Sequence, residues 1–387
     1  MSAFLWWIAG VMLAWVWIGR FLDALGMRKI PDIALPDWDC MPQPAPSLSI
    51  IVPARNEQTK VEAALTSLLR LEYPDCEILA VDDRSSDATG EIMDRIASAH
   101  PASPALKVLH VRDLPPGWLG KPHAMWTAAQ QARGEWLLFT DADVTFRPDS
   151  LRRALAHAEA VGADHLVVFP THQLRSLGEK IMMAGFQMPF VFGHRPWRVH
   201  DPKAKDFIGL GAFNLIRREA YEAVGTFKVL RMEVVDDMKL GKLVKLHGWR
   251  QRNVFGSELL ELHWGSGARG LIANLTKNMF AVLEFRPWKT FGAATLWLFL
   301  NFMPVLGVCL ADGWARIPYA AALGAIFLLY VGMSRRTVPV WAFFVYPLSA
   351  ALIVFTLLRS MAHTLRHRGI IWRDTHYSLE ELRKGLM

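Results

Sequence analysis

Two carboxylates, Asp141 and Asp143, stand one residue apart at the end of the apolar run Trp136-Leu137-Leu138-Phe139. On an extended chain, side chains at i and i+2 share a face, so both would project from the carboxyl end of a buried strand. Like charges held so close repel, and a hard divalent cation that also carries a phosphate relieves that repulsion. Two further acids, Asp82 and Asp83, end the run that begins at Glu77, where they could accept hydrogen bonds from a base N–H or a ribose hydroxyl. Lys121, in Gly120-Lys121-Pro122-His123, places a cation beside a helix start and suits a diphosphate. Each feature has a plainer reading. An Asx-rich turn accounts for a lone D-x-D, and Ser86 or Asp87 reads equally as the cap of the next helix. Recurrence at successive strand ends is what points to one site.

The elements that must position these residues follow from the apolar pattern. β-type runs begin near Leu48, Glu77, Leu106 and Trp136, each about thirty residues after the last, the length of a βαβ unit. The segments between them, Gln58 to Leu71, Ala88 to Ala99 and His123 to Arg133, carry apolar residues at helical spacing, the last closed by Gly134 at C′. Strands that are nearly continuously apolar, alternating with helices, predict an α/β fold: a mostly parallel sheet covered on both faces. Ligands of such sheets bind outside the carboxyl ends of the strands. No G-x-G-x-x-G follows the first strand and no G-x-x-x-x-G-K-[ST] occurs, so neither a dinucleotide fingerprint nor a P-loop is present.

SIIVPARNE from Ser49, VDDRSSDATG from Val81, GKPHAMW from Gly120 and TDADV from Thr140 resemble the successive motifs of family-2 glycosyltransferases of the GT-A fold, in order and spacing. Downstream, GLGAFNLIRR from Gly209, VGTF from Val224 and VDDMKL from Val235 resemble that family's acceptor-side segment and its E-D motif, with Asp236 where Glu is usual. The resemblance covers roughly residues 48 to 285 and, taken with the membrane segments below, extends to bacterial lipid glycosyltransferases of the hopanoid, carotenoid or polyprenyl type. It implies that Pro53, Glu57, Asp82 and Asp83 line the nucleoside pocket, Asp83 or Asp82 reading the base. Lys121 would lie near the nucleotide and Asp141 would face the ribose or donor sugar. Asp143 would hold a divalent metal, Mg2+ or Mn2+, that bridges the diphosphate. Asp237 would be the general base for an acceptor hydroxyl, with Asp236 orienting the site. A solvated helix N-terminus is the plainer reading of that acidic pair. The Q-x-x-R-W string of processive synthases is missing. Trp264 and Arg269 are its partial substitutes, Arg269 either charging the diphosphate or lying on a helix surface.

The reaction implied is inverting transfer of a single sugar from a UDP- or GDP-linked donor to a lipid acceptor. A processive polysaccharide synthase, or a membrane nucleotidyltransferase that releases pyrophosphate, is the alternative. Hydrophobic residues make up 52% of the chain and sixteen are tryptophan, too many for a soluble enzyme of 387 residues. Ala3 to Gly19, Phe291 to Ala311, Ile317 to Met333 and Val338 to Leu358 are span candidates. Basic residues Arg20, Arg28 and Lys29 follow the first, and nothing basic precedes it, which puts the catalytic region on the cytoplasmic face of a multi-pass inner (plasma) membrane protein. Arg335 and Arg336 fit the same scheme. The basic tail then conflicts with three C-terminal spans: either Phe291–Ala311, with Asn301 and Pro304 inside it, is interfacial or re-entrant, which is the preferred expectation, or the rule fails here. The net charge of +7 suits anionic lipid; no nucleic-acid motif accompanies it. Met182, Met183, Phe186, Met188, Phe190 and Phe192 read as a core helix or as an interfacial helix guiding the lipid. The expected organisation is an anchor at 1–30, a proline-rich linker at 31–47, a catalytic domain at 48–285, a membrane region at 286–360 and a basic interfacial tail at 361–387.

Overall fold

The four apolar runs form strands at Leu48–Ala54, Cys76–Asp83, Ala105–Val111 and Trp136–Phe139, parallel wherever they pair. The computed structural model describes residues 3–100, 105–334 and 336–386, which leaves Arg335 outside the described residues. Later strands His165–Phe169, Asn214–Arg217 and Gln251–Phe255 complete a seven-stranded sheet. From one edge its order is Ala105–Val111, Cys76–Asp83, Leu48–Ala54, Trp136–Phe139, Asn214–Arg217, His165–Phe169, Gln251–Phe255. Asn214–Arg217 runs antiparallel to both neighbours, and the other pairings are parallel. Alternation along the strands serves both faces. Leu48, Ile50 and Val52 pack with Ile78, Ala80 and Leu138 on one side, while Ile51 packs with Leu79, Val81 and Leu137 on the other.

The helices between the strands are Val61–Leu69, Thr89–Ala99 and Gly120–Ala129. The third starts earlier than the spacing predicts, because Pro122 sits in its first turn, where a missing N–H costs nothing. Gly134 is not its C′ residue. A Cβ there would lie 2.4 Å from the Ser49 amide nitrogen, so the glycine serves close backbone approach to the first strand.

Two compact units divide the chain differently from the sequence expectation: Ile30–Gln173, Arg198–Trp264 and Gly369–Met387 form one, Met1–Lys29, Leu174–Trp197 and Gly265–Arg368 the other. The expected linker is part of the sheet unit. Ile33 is buried, its N–H donates to the Phe255 carbonyl at 2.9 Å, and Arg153 donates to the Leu35 carbonyl at 2.9 Å. Asp39 pairs with Arg153 at 2.6 Å. In the tail, Gly369–Trp372 and Thr375–Ser378 form a hairpin within the sheet unit.

The second unit is helical. Four of its helical segments, Phe4–Lys29, Pro287–Leu310, Gly313–Ser334 and Val340–Arg366, are long and apolar enough to cross a membrane. Pro287–Leu310 runs unbroken through Asn301 and Pro304. Asn301 is buried, its amide nitrogen donating to the Trp297 carbonyl at 2.8 Å and its own carbonyl accepting from the Tyr346 hydroxyl at 2.9 Å, so the polar residue is satisfied inside the bundle. Trp17 donates to the Leu300 carbonyl at 2.9 Å and Tyr319 to the Trp6 carbonyl at 2.8 Å. The Met- and Phe-rich helix, Leu177–His194, belongs to this unit, with Met182, Met183 and Met188 buried and Gln187 bonded to Thr337 at 2.7 Å.

Candidate active site

The strand Trp136–Phe139 ends before the acidic pair, and Asp141-Ala142-Asp143 forms a turn into a short strand, Val144–Phe146. The Asp141 N–H donates to the Gly211 carbonyl at 2.9 Å and the Val144 N–H to the Asp141 carbonyl at 3.4 Å. Strand alternation therefore does not hold the two carboxylates on one face; a turn does the placing, and each carboxylate meets its own lysine. Lys121 Nζ lies 2.5 Å from Asp141 Oδ1, and Lys60 Nζ lies 2.9 Å from Asp143 Oδ2. Burial, reinforced by the charge of Asp141, pushes the Asp143 carboxyl above its ordinary value against the pull of Lys60.

Asp236 and Asp237 open the helix Asp236–Leu246. Asp236 is buried, whereas Asp237 is half-buried and turns both oxygens to backbone donors: Oδ2 accepts the Gly211 N–H at 2.8 Å and Oδ1 the Met238 N–H at 2.7 Å. Gly211 is thus clasped by Asp141 through its carbonyl and by Asp237 through its N–H. A Cβ on Gly211 would stand 2.4 Å from Asp141 Oδ2 and would displace that carboxylate from its place beside Lys121. Burial works against the Lys121 charge, yet Asp141, Asp236 and Asp237 together outweigh it and hold the ammonium well above lysine's ordinary value. Burial also pushes the Asp237 carboxyl up, with Lys121 pulling it back. A carboxylate with a raised proton affinity, beside a fixed cation and on a rigid helix start, is suited to take a proton from a hydroxyl.

Asp82 and Asp83, successive on a strand, point to opposite faces. Asp83 is buried against Arg84, Nε to Oδ1 2.8 Å, while Asp82 accepts the Ser85 N–H at 3.2 Å and approaches His110 at 3.1 Å. Pro53 lies in the first strand, level with Val81. Glu57 follows that strand, its N–H donating to Thr89 Oγ1 at 2.8 Å, and burial pushes its carboxyl up against the pull of Arg373. Trp264 packs against the sheet core, its ring 6.3 Å from that of His172. Arg269 is exposed on the helix Gly267–Thr276, which belongs to the helical unit. Sequence reasoning missed Lys60, Gly211, Arg84, Arg373 and Tyr377. Lys60 stands four residues beyond Asn56-Glu57 and carried no signal of its own; Gly211 stood inside a quoted motif.

Among the described residues, no group of three or more His, Cys, Asp or Glu is placed to hold a metal ion. Asp141 and Asp143 remain a hard-oxygen pair, the usual protein share for Mg2+ or Mn2+ when phosphates and water complete the shell. The residues fit such an ion alongside a diphosphate, with Lys60 yielding Asp143 to it.

Residues 49–225 match the family profile described as Glycosyl transferase family 2. A 4,4'-diaponeurosporenoate glycosyltransferase from Staphylococcus aureus (strain bovine RF122 / ET3-1) is 24% identical over 348 residues, which covers 87% of this chain and 89% of that protein. Among solved structures, a mannosyltransferase from Pyrobaculum calidifontis in complex with GDP-Man and Mn2+ superposes with a TM-score of 0.54 at 20% identity. That match covers 93% of this chain and 99% of the other, and the likeness is one of fold, the GT-A arrangement of sheet and helices.

Proposed function

Because the chain is an enzyme carrying a family-2 glycosyltransferase domain on a GT-A fold, we propose that it moves one sugar from a nucleotide sugar to a membrane lipid, with inversion, at the cytoplasmic face. The observation that carries the chemistry is the clasp of Gly211 between Asp141 and Asp237, with Lys121 against Asp141. It brings a proton acceptor and a fixed cation to one glycine loop. The acceptor oxygen attacks the anomeric carbon, its proton passes to Asp237, and the bond from that carbon to the diphosphate oxygen breaks. One base opposite the leaving group gives a single displacement and hence inversion. Lys121 and Lys60 supply positive charge to the departing diphosphate. A divalent ion, held by Asp143 with Asp141, would when bound neutralise further charge on that leaving group. The Mn2+ and GDP-Man of the Pyrobaculum mannosyltransferase support this reading of the donor side.

The acceptor is a lipid on two supports. The Staphylococcus relative is named for diaponeurosporenoate, and the helical unit offers long apolar helices together with the Met- and Phe-rich Leu177–His194. Missing the Q-x-x-R-W string, the chain adds a single sugar and does not polymerise. The test is to incubate membranes containing the protein with labelled UDP- and GDP-sugars and identify the product by mass spectrometry. The expected result is one glycosylated lipid with release of a nucleoside diphosphate. Release of pyrophosphate would make the enzyme a nucleotidyltransferase, and a ladder of products would make it a synthase.

A further inference from the structure

The C-terminal hairpin reaches two of the segments that build the site, the Asn56-Glu57 loop and the helix start at Gly120. Its strands, Gly369–Trp372 and Thr375–Ser378, are joined by Arg373 and Asp374 alone. Both turn residues have positive φ, 47° and 64°, the backbone of a two-residue turn that favours Asn-Gly. Neither is glycine, so the turn is held in a costly conformation by what surrounds it. Arg373 Nη1 donates to the Asn56 carbonyl at 3.1 Å, Nη2 pairs with the Glu57 carboxylate, and Asn56 Nδ2 donates to Asp374 Oδ2 at 3.4 Å. Beyond the turn, the buried Tyr377 hydroxyl accepts the Gly120 N–H at 3.1 Å, at the start of the helix that carries Lys121. The short helix Leu379–Lys384 buries Leu382.

Arg373 also ends a row of alternating charges. Glu57 lies within electrostatic reach of Arg373, Lys60 and Asp143, and Lys60 is bonded to Asp143 at 2.9 Å. A diphosphate arriving beside Asp143 brings negative charge into that row, next to a guanidinium whose side chain is 42% exposed. The planar guanidinium presents N–H groups in a fork that matches two phosphate oxygens at once.

We propose that Arg373 is a donor-binding residue that swings from Glu57 onto the diphosphate of the nucleotide sugar, the hairpin forming a wall of the donor site. The proposal rests on the glycosyltransferase reading above.

The test uses the full-length protein in detergent with Mn2+, titrated calorimetrically with UDP and GDP and, separately, with UMP and GMP. Arg373→Ala should weaken binding of the preferred diphosphate about ten- to a hundredfold, the range for a lost hydrogen bond to a charged group. Binding of the matching monophosphate and the thermal midpoint should stay near wild type. Arg373→Lys keeps the charge but not the fork and should fall between; it also decides the matter if the alanine variant does not fold. Unchanged diphosphate binding in these variants overturns the role of Arg373 while leaving the glycosyltransferase reading intact. Equal losses for mono- and diphosphate also overturn it, since they mark a residue that merely holds the turn. Wild-type protein that binds neither UDP nor GDP overturns both.

Discussion

Two adjacent acids at a helix start point about 100° apart, so one position faces a substrate and the other faces the protein. Here Asp236 is the buried one and Asp237, half-buried, borders the Gly211 loop. Asp237→Asn keeps the shape and one of the two accepted backbone hydrogen bonds, but cannot take a proton. It should leave nucleotide-sugar binding nearly intact and lower transfer roughly 10²–10⁴-fold, the span of a general base. Asp236→Asn should cost less; the opposite ranking in steady-state assays would move the base to Asp236. Asp143 is argued separately. At rest Asp143 holds Lys60, an exchangeable partner, so Asp143→Asn should fold and extract normally while losing transfer and most of the Mg2+- or Mn2+-dependence of nucleotide binding. Metal-dependent turnover surviving in that variant would remove Asp143 from the site.

Strands and helices were readable where the local pattern sufficed. Leu48–Ala54, Cys76–Asp83 and Trp136–Phe139 announce themselves by apolar runs that stop at polar residues, and the acids at their ends were found with them. What depends on distant contacts was not readable. Arg373 meets Glu57 across a separation of 316 residues, and no local spacing encodes such a pairing. Pro31 to Pro46 looks like a linker because its anchors, the Phe255 carbonyl and Arg153, lie far along the chain. The D-x-D turn escaped for another reason: alternation was extended past the last strand residue, Phe139. Packing across strands also sets the response to acid. His165 is fully buried; Gln251 Nε2 donates to its Nδ1 at 2.8 Å, and its Nε2–H faces Asn214 Oδ1, so the neutral ring is satisfied on both sides. Burial pushes its pKa down to about 4, and burial does the same, to about 4, for His157, whose ring sits 4.4 Å from that of Trp38. Unfolded histidine titrates near 6.5, so between 6.5 and 4 the unfolded chain binds more protons and stability falls as pH falls. Each histidine should cost about 2 kcal/mol by pH 5. Burial holds His172 at about 4 as well, so His157→Phe, which keeps the ring contact and abolishes one of three such titrations, should shrink the drop in thermal midpoint between pH 7.5 and 5 by about a third. An unchanged drop would show that His157 is not held neutral.

At the scale of the molecule, connectivity constrains the membrane topology. The chain leaves the sheet unit after Trp264 and rejoins it at Gly369, and a compact unit lies on one side of a bilayer. The intervening segment must therefore cross an even number of times, yet it contains three helices long and apolar enough to do so. On the proposed reading one of the three would not cross, which would remove the conflict between the basic tail and the positive-inside rule without suspending the rule. Arg20, Arg28 and Lys29, which follow the first helix, would by the positive-inside rule put the sheet unit in the cytoplasm, the side on which the proposed donor is made. Two cysteines report on this directly. Cys40 is exposed in the sheet unit, and Glu380, 78% exposed at its side chain, can be replaced by cysteine in the tail. With Cys309→Ala as background, a membrane-impermeant maleimide should label Cys40 and the Glu380→Cys position together, in inverted vesicles and not in intact cells. Labelling of the two from opposite sides would mean an odd number of crossings and would detach the hairpin, with Arg373, from the active site.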